Sequence, residues 1–165
     1  MRYIYLSPHL DDAVLSAGGW IYDQTRSETP VEIWTITAGF PPEYDEYSLF
    51  AQVNHALWGF ASASETIRAR RAEDVNAANI LGAKVVHFDF LDCIYRLGKN
   101  GDWLYDNISL TQHVEDAHLP SQIAEAISAR LKPDDRLICQ LSVGSHVDHV
   151  LVRQGVELLG RPLVY

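Results

Sequence analysis

Tyr3-Ile4-Tyr5-Leu6-Ser7-Pro8-His9-Leu10-Asp11-Asp12 begins with four β-forming residues and then breaks. Residues 3–6 read as a buried strand. Ser7 to Asp12 interrupts it, and residues 13–24 read as a helix with Asp12 available as a cap near its start. The rest of the 165-residue chain repeats this alternation. A second strand spans 32–36 and closes at Ala38-Gly39. A helix spans 64–81, with Ser64 as its possible cap and Gly82 just past its end. A third strand covers 84–88, a helix 120–131, a fourth strand 136–139, a helix 148–159, and a fifth strand begins at Pro162. Strands alternating with helices predict βαβ units and a Rossmann-like α/β three-layer sandwich around a mainly parallel sheet. Two stretches, 40–63 and 89–119, exceed ordinary connectors, and loops of that length are usually functional or mobile.

Composition sets the outer limits. The length suits a single domain over 1–165, and 47% hydrophobic with 21% charged residues is ordinary for a soluble globular chain. A net charge of -9 argues against nucleic acid, which needs a basic face, and against an anionic membrane surface. A small neutral molecule is the better expectation. Two cysteines, Cys93 and Cys139, are too few for a disulfide scaffold and read as buried thiols of a reducing cytoplasm. The N-terminus is too short before Pro8 for a signal peptide, and no apolar run reaches membrane-span length. Neither GxGxxG nor GxxxxGK[ST] occurs, so a nucleotide-binding reading lacks its phosphate loop.

Two motifs carry chemistry. Pro8-His9-Leu10-Asp11-Asp12 follows the first strand, and Ser145-His146-Val147-Asp148-His149 follows the fourth. In a sheet ordered 3-2-1-4-5 these strands are neighbours at the topological switch point, so both motifs face one crevice beyond the strand ends. An imidazole and a carboxylate are good zinc ligands, and two histidines with one carboxylate leave positions open, as catalytic zinc sites do. The same trio suits Fe2+ oxygenases. Consecutive carboxylates point different ways, so one can bind metal while its neighbour faces a water. Asp148 can fix one imidazole's tautomer. Helix capping competes as an explanation of both motifs. The spare acid-base groups Asp11 and His146 favour hydrolysis.

At these residues the chain resembles the PIG-L/LmbE-like zinc-dependent de-N-acetylases, whose motifs usually read [AP]-H-P-D-D-E and H-x-D-H. Arg70-Arg71-Ala72-Glu73, with Ala77-Ala78 and Leu81-Gly82, adds a weaker third likeness. The resemblance implies His9, Asp12 and His149 as zinc ligands and Asp11 as general base. It further implies that His146 stabilises an oxyanion or acts as general acid, oriented by Asp148, and that Arg70 binds substrate. A salt bridge to Glu73 or Asp74 competes for Arg70. Leu10 and Ala13 depart from the usual proline and glutamate, and Ala13 removes a charge near the ligands. The family usually continues past the fifth strand. A chain ending at Tyr165 therefore reads as a truncated member, or as one whose pocket another subunit completes in a homo-oligomer.

The expected reaction is removal of an acetyl group from an N-acetylglucosamine-type sugar or its conjugate. The rival readings are a metal- or ligand-binding module of the same fold without turnover, and a hydrolase of a different amide. Trp58, Trp103 and Tyr105 in the long loops suit either sugar stacking or loop anchoring. His55, His87, His113 and His118 lack partners at ligand spacing, and Asp89 and Asp92 face the same end of the sheet as the two motifs.

Overall fold

In the computed structural model, which describes residues 1–108 and 111–165, five strands form one parallel sheet. They are β1 (Tyr3–Ser7), β2 (Val31–Thr35), β3 (Lys84–His87), β4 (Arg136–Cys139) and β5 (Leu163–Val164), in the order β3-β2-β1-β4-β5. The order is the one the sequence predicts. Central β1 pairs Leu6 with Trp34 on one side and with Cys139 on the other. The helices are α1 (Asp12–Arg26), α2 (Leu49–Trp58), α3 (Ala63–Leu81), α4 (Leu119–Ser128) and α5 (Val147–Glu157).

Successive strand residues point to opposite faces. Ile4 and Leu6 join Trp34, Leu137, Ile127 and Val152 in the core under α4 and α5. Tyr5 points the other way and joins Ile33, Ile138, Ile21 and Ala78 under α1 and α3. Burial on both faces explains why these strands read as continuous apolar runs. A further apolar cluster, which includes Ala51, Ile67, Ile94, Tyr95, Tyr105 and Leu151, lies where the two long loops meet α3 and α5.

The first long loop therefore contains a helix. Ser48 Oγ accepts the Ala51 N–H at 3.0 Å, and Gly59 ends α2 at a φ of 81°. The apolar pattern concealed it: Leu49, Val53 and Leu57 are exposed, while Ala51 and His55 face inward. The second loop holds short 3-10 turns at Cys93–Tyr95 and Val114–Asp116, and Leu97 bridges to Trp103. The cap of α3 is Ser62 rather than Ser64. Its Oγ accepts the Glu65 N–H at 3.2 Å, while Glu65 Oε2 accepts the N–H of Ala61, just before the cap, at 3.1 Å, an arrangement close to a capping box. Gly82 takes the left-handed conformation expected past the end of α3, at a φ of 75°.

Gly39 seals the end of β2 against the chain leaving β3. Its N–H donates to Phe90 O at 2.9 Å, and an added Cβ would stand 2.3 Å from Asp89 O. That neighbour is backbone and cannot rotate away. Gly39→Ala is expected to cost about 1–3 kcal/mol through overpacking. A lower denaturant midpoint at unchanged m-value would register it.

Candidate metal centre

The β1–α1 and β4–α5 connections meet beyond the carboxyl ends of adjacent strands. Ser7 shapes the first. Its hydroxyl donates to His9 O at 2.7 Å and accepts the Ala13 N–H at 3.0 Å. Ser7 thus satisfies an orphan donor of α1, a task the sequence offered to the aspartates. Asp11 occupies the N-cap position but makes no side-chain cap bond. Asp12 turns its Oδ2 back to the His9 N–H at 2.9 Å. Neither carboxylate is consumed in capping. In the second connection His146 caps α5, its Nδ1 accepting the Asp148 N–H at 3.2 Å, directly after Ser145 at a φ of 58°.

His9, Asp12 and His149 each offer a ligand atom within 4.8 Å of the others. Asp12 Oδ2 lies 3.3 Å from His9 Nδ1 and 3.1 Å from His149 Nε2. His9 Nε2 faces Asp148 Oδ2 at 3.0 Å. A carboxylate acceptor there holds a proton on Nε2 and turns Nδ1 toward Asp12, where a bound cation would take the place of the Nδ1 proton. Burial opposes charge on Asp12, but hydrogen bonds from His149 and His9 outweigh it and hold the carboxyl far below the usual range. Burial likewise opposes a charged His9, and the Asp92 and Asp12 carboxylates overcome it to raise the imidazole. Two imidazole nitrogens and an anionic oxygen, converging with room for further ligands, form a donor set that fits a divalent cation. Asp12 and His149 also line a cavity of about 430 Å³ whose walls include Tyr5, Trp20, Ile138 and Leu141.

His146 lies beside this group, its ring centroid 4.7 Å from that of His9 and 5.0 Å from that of His149. Burial, and then the two neighbouring imidazoles, push His146 down to about 4. At neutral pH it is uncharged, and because Nδ1 accepts a backbone N–H its own proton sits on Nε2. Asp148 differs from expectation. Its backbone bonds His146, but its carboxylate serves His9 and the Cys93 N–H at 2.9 Å.

Arg70 leaves its own helix. NH2 reaches Asp11 Oδ2 at 3.3 Å, and the guanidinium stacks 4.5 Å over the Trp58 ring. The structure thus supports neither partner offered on α3, Glu73 or Asp74. Asp74 instead accepts from Thr35 and faces His87 Nε2 at 2.8 Å. Among the other flagged residues, His55 pairs with Tyr95 at 2.7 Å, Tyr105 is buried against Asp116, and Trp103 packs on Tyr44 and Tyr47. Asp89 holds Arg71 at the surface, whereas buried Asp92 comes within 3.7 Å of His9 Nε2. Ser7 and Arg96 escaped the sequence reading. Arg96 carried a usable signal: a cation between Ile94-Tyr95 and Leu97 is a residue type seldom buried unless paired.

The PIG-L family model, GlcNAc-PI de-N-acetylase, matches residues 4–159. No curated protein matches the chain. Among solved structures, a deacetylase of teicoplanin biosynthesis in complex with teicoplanin is 29% identical with a TM-score of 0.86, covering 99% of this chain and 68% of that one. A zinc-inhibited form of teicoplanin deacetylase gives 29% and 0.87, covering 99% and 66%. The deacetylase of the A40926 pseudoaglycone gives 31% and 0.78, covering 98% and 61%. The chain thus spans about two thirds of the length of these deacetylases. Among the described residues no helix is long and apolar enough to cross a membrane. Because the family match runs from β1 through α5 and takes in both histidine motifs, the chain belongs to the PIG-L family of de-N-acetylases.

Proposed function

We propose that this chain is a zinc-dependent hydrolase that removes the acetyl group from an N-acetylated aminosugar carried on a glycoconjugate. The observation that carries the reading is the convergence of His9, Asp12 and His149, with the Asp11 carboxylate left free of capping beside them. The similar deacetylases named above, one of them complexed with teicoplanin and one a zinc-inhibited form, support the substrate class and a divalent cation at the site. Buried free thiols at Cys93 and Cys139 accord with a reducing cytoplasm.

His9 Nδ1, Asp12 and His149 Nε2 would hold the ion. Bound there, zinc supplies Lewis acidity that makes water more acidic and a carbonyl oxygen more electrophilic. The chain's residues perform the proton and charge handling. Asp11, about half exposed at the crevice, accepts the proton of the attacking water as the new C–O bond forms at the acetamide carbon. His146 donates its Nε2–H toward the oxygen on which charge develops, a preformed dipole aimed at the transition state. Asp11 then returns the proton to the sugar nitrogen as the C–N bond breaks, leaving acetate and a free amine. Arg70, restrained by Trp58, orients Asp11 and meets sugar hydroxyls. The apolar cavity beside Asp12 and His149 accommodates the aglycone.

Zinc titration together with acetate release from a panel of N-acetylglucosamine conjugates tests this function. Stoichiometric zinc with release of acetate is expected. Stoichiometric zinc without release from any conjugate would favour a binding module, and absence of metal binding would overturn the proposal. Arg70→Ala is expected to raise KM about tenfold, roughly 1.4 kcal/mol of uniform binding, with kcat falling less. Steady-state kinetics on one conjugate measures both.

A further inference from the structure

Beneath the metal centre, on the side away from the crevice, lies a buried charge cluster. Asp148 is 1% exposed and Arg96 7%. Asp148 Oδ2 is shared between His9 Nε2 at 3.0 Å and the Cys93 N–H at 2.9 Å. Asp148 Oδ1 has one partner among the described residues, the Arg96 guanidinium. Arg96 is held in turn by Asp116 Oδ2 at 2.7 Å and lies 5.2 Å over the Tyr105 ring, while the Tyr105 hydroxyl donates to the same Asp116 oxygen at 2.7 Å. Its Nε has no hydrogen-bond partner among the described residues. The guanidinium thus meets Asp116 through one terminal nitrogen and Asp148 through the other, and Asp148 touches His9.

We infer that Arg96 is a positioning residue for the metal: by occupying Asp148 Oδ1 it fixes the carboxylate plane so that Oδ2 meets His9 Nε2 and the His9 Nδ1 lone pair faces the ion. This rests on His9 being a metal ligand, as proposed above. With Arg96 removed, Oδ1 becomes a buried acceptor without a donor, and the carboxylate must rotate or shift to find one. Either movement withdraws Oδ2 from His9 and releases the imidazole to other orientations and tautomers. Carboxylates behind ligating histidines typically influence metal affinity by about 10–100-fold. The residue lies in the second long loop, so the loop contributes to the metal centre without contacting the ion. Asp116 sits on the far side of the guanidinium, and its loss leaves the Arg96–Asp148 contact in place.

The test is Zn2+ affinity of the full chain, measured by competition with a chromophoric chelator, with the metal-free melting point taken in parallel. Arg96→Met is expected to weaken Zn2+ binding about 10–100-fold, and Arg96→Lys to recover most of that loss. Asp116→Asn is expected to stay within a few-fold of the parent although it disrupts the same cluster. A merely structural cluster would lower the melting point in both Met and Asn variants and affect their Zn2+ affinity alike. A folded Arg96→Met with parental affinity, or an Asp116→Asn that loses as much, would overturn the inference. If Arg96→Met does not fold, Arg96→Gln takes its place and the same comparison decides. A parent that binds no Zn2+ would overturn the metal reading itself, and with it this inference.

Discussion

Asp11→Asn is expected to retain its metal and lose about 10²–10⁴-fold in kcat, the usual value of a positioned acid-base group. The geometry makes this substitution informative. The proposed ligand set draws on Asp12, not Asp11, and Asp12 Oδ2 remains bonded to the His9 N–H and within 3.3 Å of the His9 and His149 imidazoles. Asparagine preserves the shape of Asp11, and because the aspartate makes no side-chain cap bond, the start of α1 loses no hydrogen bond and only about 0.3–1 kcal/mol of charge–dipole attraction. The variant therefore removes a proton acceptor and little else. Its effect on Arg70, 3.3 Å away, is separable, because a loosened arginine shows chiefly in KM. Metal content by elemental analysis and kcat for acetate release are the two measurements. Activity within tenfold of the parent at full metal loading would remove Asp11 from the role of base.

The contrast between Asp11 and Asp12 shows what the sequence could and could not disclose. Strand order was legible because hydrophobic runs and helix signals alternate, and parallel crossovers then allow few arrangements. The meeting of the two histidine motifs followed from that order. The division of labour inside each motif did not, because it depends on local hydrogen bonds. Ser7, an unremarked hydroxyl before Pro8, relieves the aspartates of capping. His146 does cap α5, and the same bond fixes the proton on its outward nitrogen, so capping and chemistry proved compatible where sequence set them as rivals. The long loops were least legible. α2 exposes Leu49, Val53 and Leu57, so its apolar residues do not trace the buried face, although Ser48 and Gly59 marked its ends. The pairing of Arg96 with Asp148 spans 52 positions, from the irregular second loop to the first turn of α5, and no periodicity connects the partners. Asp148 shows the same limit, since spacing left open which imidazole it serves, the resemblance gave it to His146, and folding turned its carboxylate to His9.

His149→Ala is expected to abolish productive metal binding while leaving the fold intact, and of the ligand substitutions it is the cleanest. His9 is buried and tied to Asp148, so removing its ring also strands a carboxylate. Asp12 bonds the His9 backbone, so its loss disturbs the loop. The His149 side chain is 21% exposed, and what anchors the residue is its carbonyl, which accepts from Ser142 Oγ at 2.9 Å and Gln140 Nε2 at 3.0 Å. Alanine keeps that carbonyl. Zn2+ affinity is expected to fall more than about 100-fold, beyond the loss typical of groups that merely support a ligand. A thermal shift experiment reads this without reference to catalysis. Zinc at about 100 times its dissociation constant stabilises the parent by about 2.7 kcal/mol, a rise of roughly 5–10 °C for a domain of this size. The same zinc concentration should leave His149→Ala essentially unmoved from its own metal-free melting point, which should lie somewhat below that of the metal-free parent because Asp12 loses a hydrogen bond. His118→Ala, at an exposed histidine without a side-chain cap bond, serves as the control and should keep the full shift. A zinc-induced shift of parental size in His149→Ala would remove His149 from the ligand set and leave His9 and Asp12 to be completed by another donor such as His146, whose ring centroid lies 5.0 Å from that of His149.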